Sequence, residues 1–306
     1  MRSRDDRRGS VSARRGLFSA GAPPMDSMPR MRTAFTRGLL GTWSSPVLVG
    51  SLLAWLLVEW VVAIAAGYPG PVMFLAHLSA PVPLSTFTDV SISTGILGFR
   101  QGLLFVFVTG GVHAIWFSLL AGMAIEAIES GTVTRWGAIR GLRALPVVFA
   151  LHVIGVAVVF AAGQIGTFAG SGLALFVQLA ALVVAMWAFA FAPIIAVTEG
   201  RRLTDCIGRS IRGARMPGSG NLSFAAIYVV PVFATFVAPG VPGRLLDVNP
   251  PASGWVFVVL MNLLHAAIVG ALAVRYLAIA DEVPEAPVRA TPSRDRARSA
   301  RSARRR

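Results

Sequence analysis

A polytopic membrane bundle of α-helices is the fold class this sequence predicts, and three observations predict it. Of the 306 residues, 55% are apolar and only 14% charged, where a soluble domain has about a quarter charged. The apolar residues gather into runs of about 20, the length at which a helix crosses a bilayer. No run alternates apolar and polar residues with the period of 2 that a membrane barrel requires. Against this composition stands a formal charge of +14, and all 28 basic residues are arginine. The one cysteine, Cys206, excludes a disulfide scaffold.

Six spans are expected. They run from Pro46 to Gly67, Gly102 to Ile128, Ala144 to Gly163, Gly172 to Thr198, Leu222 to Ala238 and Trp255 to Ala280. The fifth is short and holds Pro231. A cleavage-site pattern, Ala63-Ile64-Ala65, ends the first run, but more than 40 residues precede that run and Trp55, Glu59 and Trp60 interrupt it. The expectation is a retained first helix.

Arginine placement sets the orientation. Twenty-six of the 28 fall on one side of the six spans, and only Arg100 and Arg244 on the other. Positive charge stays in the cytoplasm, so both termini are expected inside, in the plasma membrane. Residues 1–40 and 281–306 are rich in Arg, Ser, Gly, Ala and Pro and are expected to be disordered cytoplasmic tails flanking a membrane domain over 41–280. The tails lack aromatic interleaving and adjoin a membrane face. Anionic phospholipid is therefore the expected partner rather than nucleic acid, at about 1 kcal/mol per basic residue near the surface. Protein partners are not legible.

The longest outside connection, Tyr68 to Gln101, holds a short apolar piece, Val72 to Leu78, bracketed by prolines. It is either an interfacial helix or a re-entrant segment, and the latter is tolerated only if protein covers it. The two inside connections resemble each other: 139–143 read IRGLR and 211–215 read IRGAR. This marks two similar parallel units, about 102–163 and 172–240, each with an amphipathic helix in the inner interface. Thr132 or Thr134, and Thr204, are the expected N-caps. Arg135, Arg140, Arg143, Arg201, Arg202, Arg209, Arg212 and Arg215 lie on these helices as candidate ligands of lipid headgroups.

The run PIIAVTEGRRLTDCIGRSIRGAR resembles a signature of bacterial and archaeal integral membrane proteins related to the membrane domain of glycerophosphodiester phosphodiesterases. Pro193, Glu199, Gly200, Ser210 and Arg212 carry the resemblance, which extends over roughly residues 40–280. It implies a six-helix architecture. It implies little about activity, because that family's chemistry sits in a separate soluble domain with no counterpart in this sequence.

Ionisable residues at bilayer depth are the remaining candidates. Counted from the outer span ends, His113, His152 and His265 lie about 15–17 Å deep and Glu59 about 12 Å deep, with Asn262 one turn from His265. Such a set suits a metal site or a proton relay if the side chains converge, and simple interhelical hydrogen bonding if they do not. No HxxxH or ExxH spacing links any two, and no metal or other cofactor is expected. Glu126, Glu129 and Glu199 are expected to pair with nearby arginines, and Arg275 to snorkel to the inner interface. No HExxH or phosphate-binding loop is present, so no catalytic residue is assigned. Three readings stay open: a non-enzymatic membrane scaffold or accessory protein with an anionic-lipid-binding face, a small transporter or channel using Glu59 and the histidines, and a membrane-embedded lipid enzyme.

Overall fold

The computed structural model describes residues 29–65, 75–87, 90, 99–169, 171–216, 220–237 and 252–283. The Arg-rich runs before 29 and after 283, with Arg244 and Asp247, lie outside them. The elements are α1 (Met31–Trp43), α2 (Pro46–Ala65), α3 (Phe99–Ser130), α4 (Arg135–Leu142) and α5 (Leu145–Ala169). They continue with α6 (Ser171–Phe189), α7 (Ala192–Glu199), α8 (Leu203–Ala214), α9 (Asn221–Val237) and α10 (Ala252–Ile279). The described residues contain no strand.

Among the described residues, five stretches are long and apolar enough to cross a membrane: Pro46–Ala65, Val106–Ser130, Leu145–Gln164, Leu175–Glu199 and Ala252–Ile279. The expected fifth span falls short of that measure. It forms α9, a 17-residue helix with Pro231 inside it, so its rise of about 25 Å is below the roughly 30 Å hydrocarbon core. Helix α2 shows why these helices need lipid. Leu48, Leu52, Leu56, Glu59 and Ala63 are buried on one face, while Leu53, Leu57, Val58, Val61 and Ile64 point outward, Leu57 being 59% exposed. Each such side chain left in water forgoes about 1.5–3 kcal/mol.

Helix α1 corrects the expected tail. Residues 31–40 are helical rather than disordered, and Ala34, Gly38 and Thr42 form a buried stripe of small residues at four-residue spacing. That stripe lies along α10, where Gly38 meets the backbone of Ala267, Gly270 and Ala271. Trp43 Nε1 donates to the Leu263 carbonyl at 3.0 Å. At the other end of the chain, Val283 is buried too.

The expected fourth span is broken between α6 and α7. Pro193 in the first turn of α7 has no N–H to continue the helical ladder. The hydroxyl of Ser210, on α8, stitches the break: it donates to the Ala188 carbonyl at 2.7 Å and accepts from Phe191 N–H at 3.2 Å. Gly200 then ends α7 with φ +64°, a left-handed position that favours glycine, and turns the chain into α8.

Candidate functional site

Two regions carry the sequence candidates: a buried polar layer in the bundle and the arginine-bearing helices α4 and α8. The polar layer is built around residues 75–87, every one of which is buried. Of the two readings of the apolar piece ending at Leu78, the described part matches a segment covered by protein; Val72 to Phe74 lie outside the described residues. A chain segment there must have its backbone satisfied by protein, since lipid offers no partner.

Asn262 of α10 supplies two of those partnerships. Its Oδ1 accepts from Ser79 N–H at 2.8 Å, and its Nδ2 donates to the Leu75 carbonyl at 2.7 Å and to the Val258 carbonyl at 2.9 Å. Trp116 of α3, stacked on Trp55 of α2 with ring centroids 5.8 Å apart, donates its indole N–H to Ser79 Oγ at 2.9 Å. His152 of α5 holds the segment's other end through Nδ1, 3.0 Å from Thr86 Oγ1. Its ring lies on Gly110 of α3, where any Cβ would fall 1.9 Å from His152 Nε2.

The remaining candidates fall into one pair and one chain of three. His265 Nε2 lies 3.0 Å from Nδ1 of His77, and His265 Nδ1 lies 2.5 Å from the Tyr228 hydroxyl. Glu59 and His113 face each other across α2 and α3, with Oε1 to Nε2 at 3.3 Å and both side chains buried. His113 is within electrostatic reach of His77. The four sequence candidates therefore do not meet at one point: His152 stands apart with Thr86. Among the described residues no group of three or more His, Cys, Asp or Glu is placed to hold a metal ion. Sequence reasoning missed His77 and Tyr228. The first lies in a stretch too short to span, and a tyrosine in an apolar helix looks like any core aromatic.

At the arginine-bearing end, Glu126 accepts from Thr134 N–H at 2.9 Å, Thr134 Oγ1 at 2.7 Å and Gly137 N–H at 3.0 Å, anchoring the start of α4. Thr134 is the N-cap, its hydroxyl accepting from Trp136 N–H at 3.2 Å. Helix α4 sits on α3 through glycine, with Gly137 and Gly141 buried and Gly141 meeting the Ser118 carbonyl. Its apolar residues Trp136, Ile139 and Leu142 consequently face outward, Trp136 being 61% exposed. Arg135 lies over the Trp136 ring at 5.2 Å.

Three expectations need correction here. The cap of α8 is Arg202, without a side-chain hydrogen bond, and Thr204 lies inside the helix. Arg209 is not available to headgroups: buried at 5% exposure, it pairs with Glu199 at 3.0 Å and donates to Tyr276 Oη at 2.8 Å and to the carbonyls of Val283 (3.0 Å) and Ala280. Glu199 also binds Arg201 and the Tyr276 hydroxyl, in line with its expected pairing with nearby arginines. Arg275 does not snorkel. It is buried at 2% exposure, with Nη1 3.3 Å from Met31 Sδ and its guanidinium 5.9 Å from the Phe224 ring centroid.

Arg140 is engaged as well, with Glu129 at 2.8 Å and the Val197 carbonyl at 3.2 Å. Arg135, Arg143, Arg202 and Arg215 are exposed and Arg212 is half-buried. Arg215 also lies 5.9 Å from the Trp187 ring centroid. Cys206 on α8 is fully buried, and burial, with Glu199 and Asp205 nearby, pushes its thiol up to about 11. Because the thiolate is the reactive form, a maleimide at neutral pH should leave Cys206 unlabelled in the folded protein and label it fully after denaturation. Comparable labelling rates in both states would contradict this burial.

No family model, no curated protein and no solved structure matches the chain.

Proposed function

We propose that this chain is a non-enzymatic multi-pass membrane protein, a scaffold or accessory component whose arginine-bearing end holds anionic phospholipid. The observation that carries this reading is the outer surface of α4. Exposed Trp136, Ile139 and Leu142 lie beside exposed Arg135 on one eight-residue helix, with exposed Arg143 at its C-cap. Apolar rings at acyl depth beside guanidinium groups at phosphate depth suit a bilayer interface better than water. Exposed Arg202 and Arg215 on and beside α8 extend the same charge. The interior supports the reading differently. Asn262 and His152 are occupied in holding residues 75–87.

In this reading the arginine-bearing side is cytoplasmic, both termini lie on it, and α9 completes six crossings in the plasma membrane. IRGLR and IRGAR belong to two related units, and their central glycines, Gly141 and Gly213, are both buried. The resemblance to the glycerophosphodiester phosphodiesterase membrane domain fits as well. Pro193 and Ser210 of that signature make and stitch one helix break, Gly200 makes the turn, and Glu199 ties Arg201 and Arg209. These are architectural roles, with no reaction among them.

The test is lipid retention by the purified full-length protein, read by native mass spectrometry. Wild type should retain anionic over zwitterionic lipid. Replacing Arg135, Arg143, Arg202 and Arg215 together by glutamine should lower that preference about tenfold or more. Equal retention of both lipid classes by wild type would refute the proposal. A transporter is the second reading, favoured by the buried Glu59–His113 pair. It predicts solute flux in vesicles that Glu59→Gln abolishes.

A further inference from the structure

The start of α9 holds a buried amide that nothing in the protein satisfies. Asn221 is the first residue of that helix and is 4% exposed, yet neither its Oδ1 nor its Nδ2 makes a hydrogen bond. Buried polar side chains are nearly always satisfied by protein, by ordered water or by a ligand. An amide offers both a donor and an acceptor, so its missing partner should carry both as well.

The surroundings favour an anion. Phe224 N–H donates to the Gly220 carbonyl at 2.9 Å, the first bond of the α9 ladder. The N–H groups of Asn221, Leu222 and Ser223 therefore have no acceptor inside the helix, and the helix dipole adds partial positive charge there. Gly220, Leu222 and Ser223 are exposed, and a Cβ on Gly220 would meet nothing within 4 Å, so this turn is open. Asn221, Phe224 and Tyr228, three and seven residues apart, share the buried face of α9 that meets α10. The guanidinium of Arg275 on α10 lies 5.9 Å from the Phe224 ring centroid. Asn221 precedes Phe224 by one turn on that face, about 5–6 Å away, so the amide and the guanidinium flank the same first turn. Neither α9 nor α10 contains an acidic residue.

We propose that the first turn of α9, with Asn221 and Arg275, binds one phosphate group that carries a hydroxyl within reach. The Leu222 and Ser223 N–H groups donate to phosphate oxygens, as helix N-termini do. Asn221 Nδ2 donates to a further oxygen, its Oδ1 accepts from the hydroxyl, and the ligand enters from the open Gly220 side. Arg275 supplies charge from its present place, with Nη1 still 3.3 Å from Met31 Sδ. Two sources share this chemistry: a polyol-phosphate lipid headgroup and inorganic hydrogen phosphate. The site rests on the reading that this end of the protein meets phosphate. It uses none of Arg135, Arg143, Arg202 and Arg215, so the site and the arginine surface can fail separately.

The test uses full-length protein in which those four arginines are glutamine, titrated in detergent and read by native mass spectrometry. The probes are short-chain phosphatidylglycerol, short-chain phosphatidylcholine and inorganic phosphate. One equivalent of phosphatidylglycerol or of phosphate should be retained, and phosphatidylcholine, which lacks the hydroxyl, about tenfold less tightly or weaker. Phosphatidylglycerol that phosphate does not displace identifies the lipid headgroup; phosphate that blocks phosphatidylglycerol identifies the free ion. Asn221→Asp should weaken retention about tenfold or more, because a carboxylate repels phosphate. Its thermal midpoint should not fall, since negative charge in the first turn of a helix is favourable. Asn221→Leu, which keeps the bulk and gives up no bond within the protein, should lose the same ligand and decides the matter if the aspartate variant does not fold. Retention of neither phosphatidylglycerol nor phosphate overturns the proposal. So does equal retention of the two lipids, or retention that neither Asn221 variant changes.

Discussion

Replacing Asn262 by alanine should release residues 75–80 from the bundle and destabilise the protein by about 3 kcal/mol. Three hydrogen bonds disappear at once, from Ser79 N–H and to the carbonyls of Leu75 and Val258. The Val258 carbonyl belongs to α10 itself, within a regular helix, so its loss costs little. Ser79 N–H lies in an irregular, fully buried stretch and is left unpaired at a cost of about 1–3 kcal/mol, while the Leu75 carbonyl loses the shorter of two bonds and keeps Leu78 N–H at 3.3 Å. The buried thiol of Cys206 supplies the readout, since the chain has one cysteine and unfolding exposes it. Thermal unfolding followed by thiol labelling should show the midpoint about 10 °C lower. Protease should also cut within 75–87 under conditions that leave wild type intact. Asn262→Leu, which keeps bulk but no polar atom, should behave like alanine. A variant that melts with wild type would mean that the segment does not depend on this residue.

Gly38→Leu should have an effect at least as large, and of a different kind. A Cβ at Gly38 would fall 2.3 Å from Ala271 N and 2.7 Å from the Ala267 carbonyl, both backbone atoms that cannot rotate away. The partner position is as tight: a Cβ on Gly270 would lie 2.9 Å from Gly38 Cα. Even Gly38→Ala must push α1 off α10, and leucine must do so by a full side chain, at a cost above about 3 kcal/mol. Losing α1 uncovers the face of α10 that it buries, including Ala271 and Val274. Hydrogen–deuterium exchange should then rise over residues 31–43 while α5 and α6 keep their protection. Unchanged protection in α1 would contradict the close crossing.

The small-residue stripe of α1 was present in the sequence, at positions 34, 38 and 42. Arg30, Arg32 and Arg37 beside it made the same residues read as the end of a charged tail, because an isolated 13-residue helix of modest hydrophobicity carries no span signal. The arginines were legible as a group but not as individuals. Arg209 and Arg275 look like Arg202 and Arg215 in the sequence, and only folding put the first two inside. The interior candidates show the same division. Glu59, His113, His152, Asn262 and His265 stood out because polar groups in apolar runs are costly, yet their pairing depended on where residues 75–87 thread.

By itself, the sequence determined that the chain is helical and built for a membrane. Those properties follow from local quantities: the length of apolar runs and the lack of alternation. The tertiary structure alone decided which polar groups serve the fold and which remain exposed. In a medium without water every buried N–H, carbonyl and charge must find its partner in the protein. Ser79 found Asn262, Thr86 found His152 and Glu199 found Arg209 across 183, 66 and 10 positions of chain. Such partnerships are set by packing geometry, which no local pattern records.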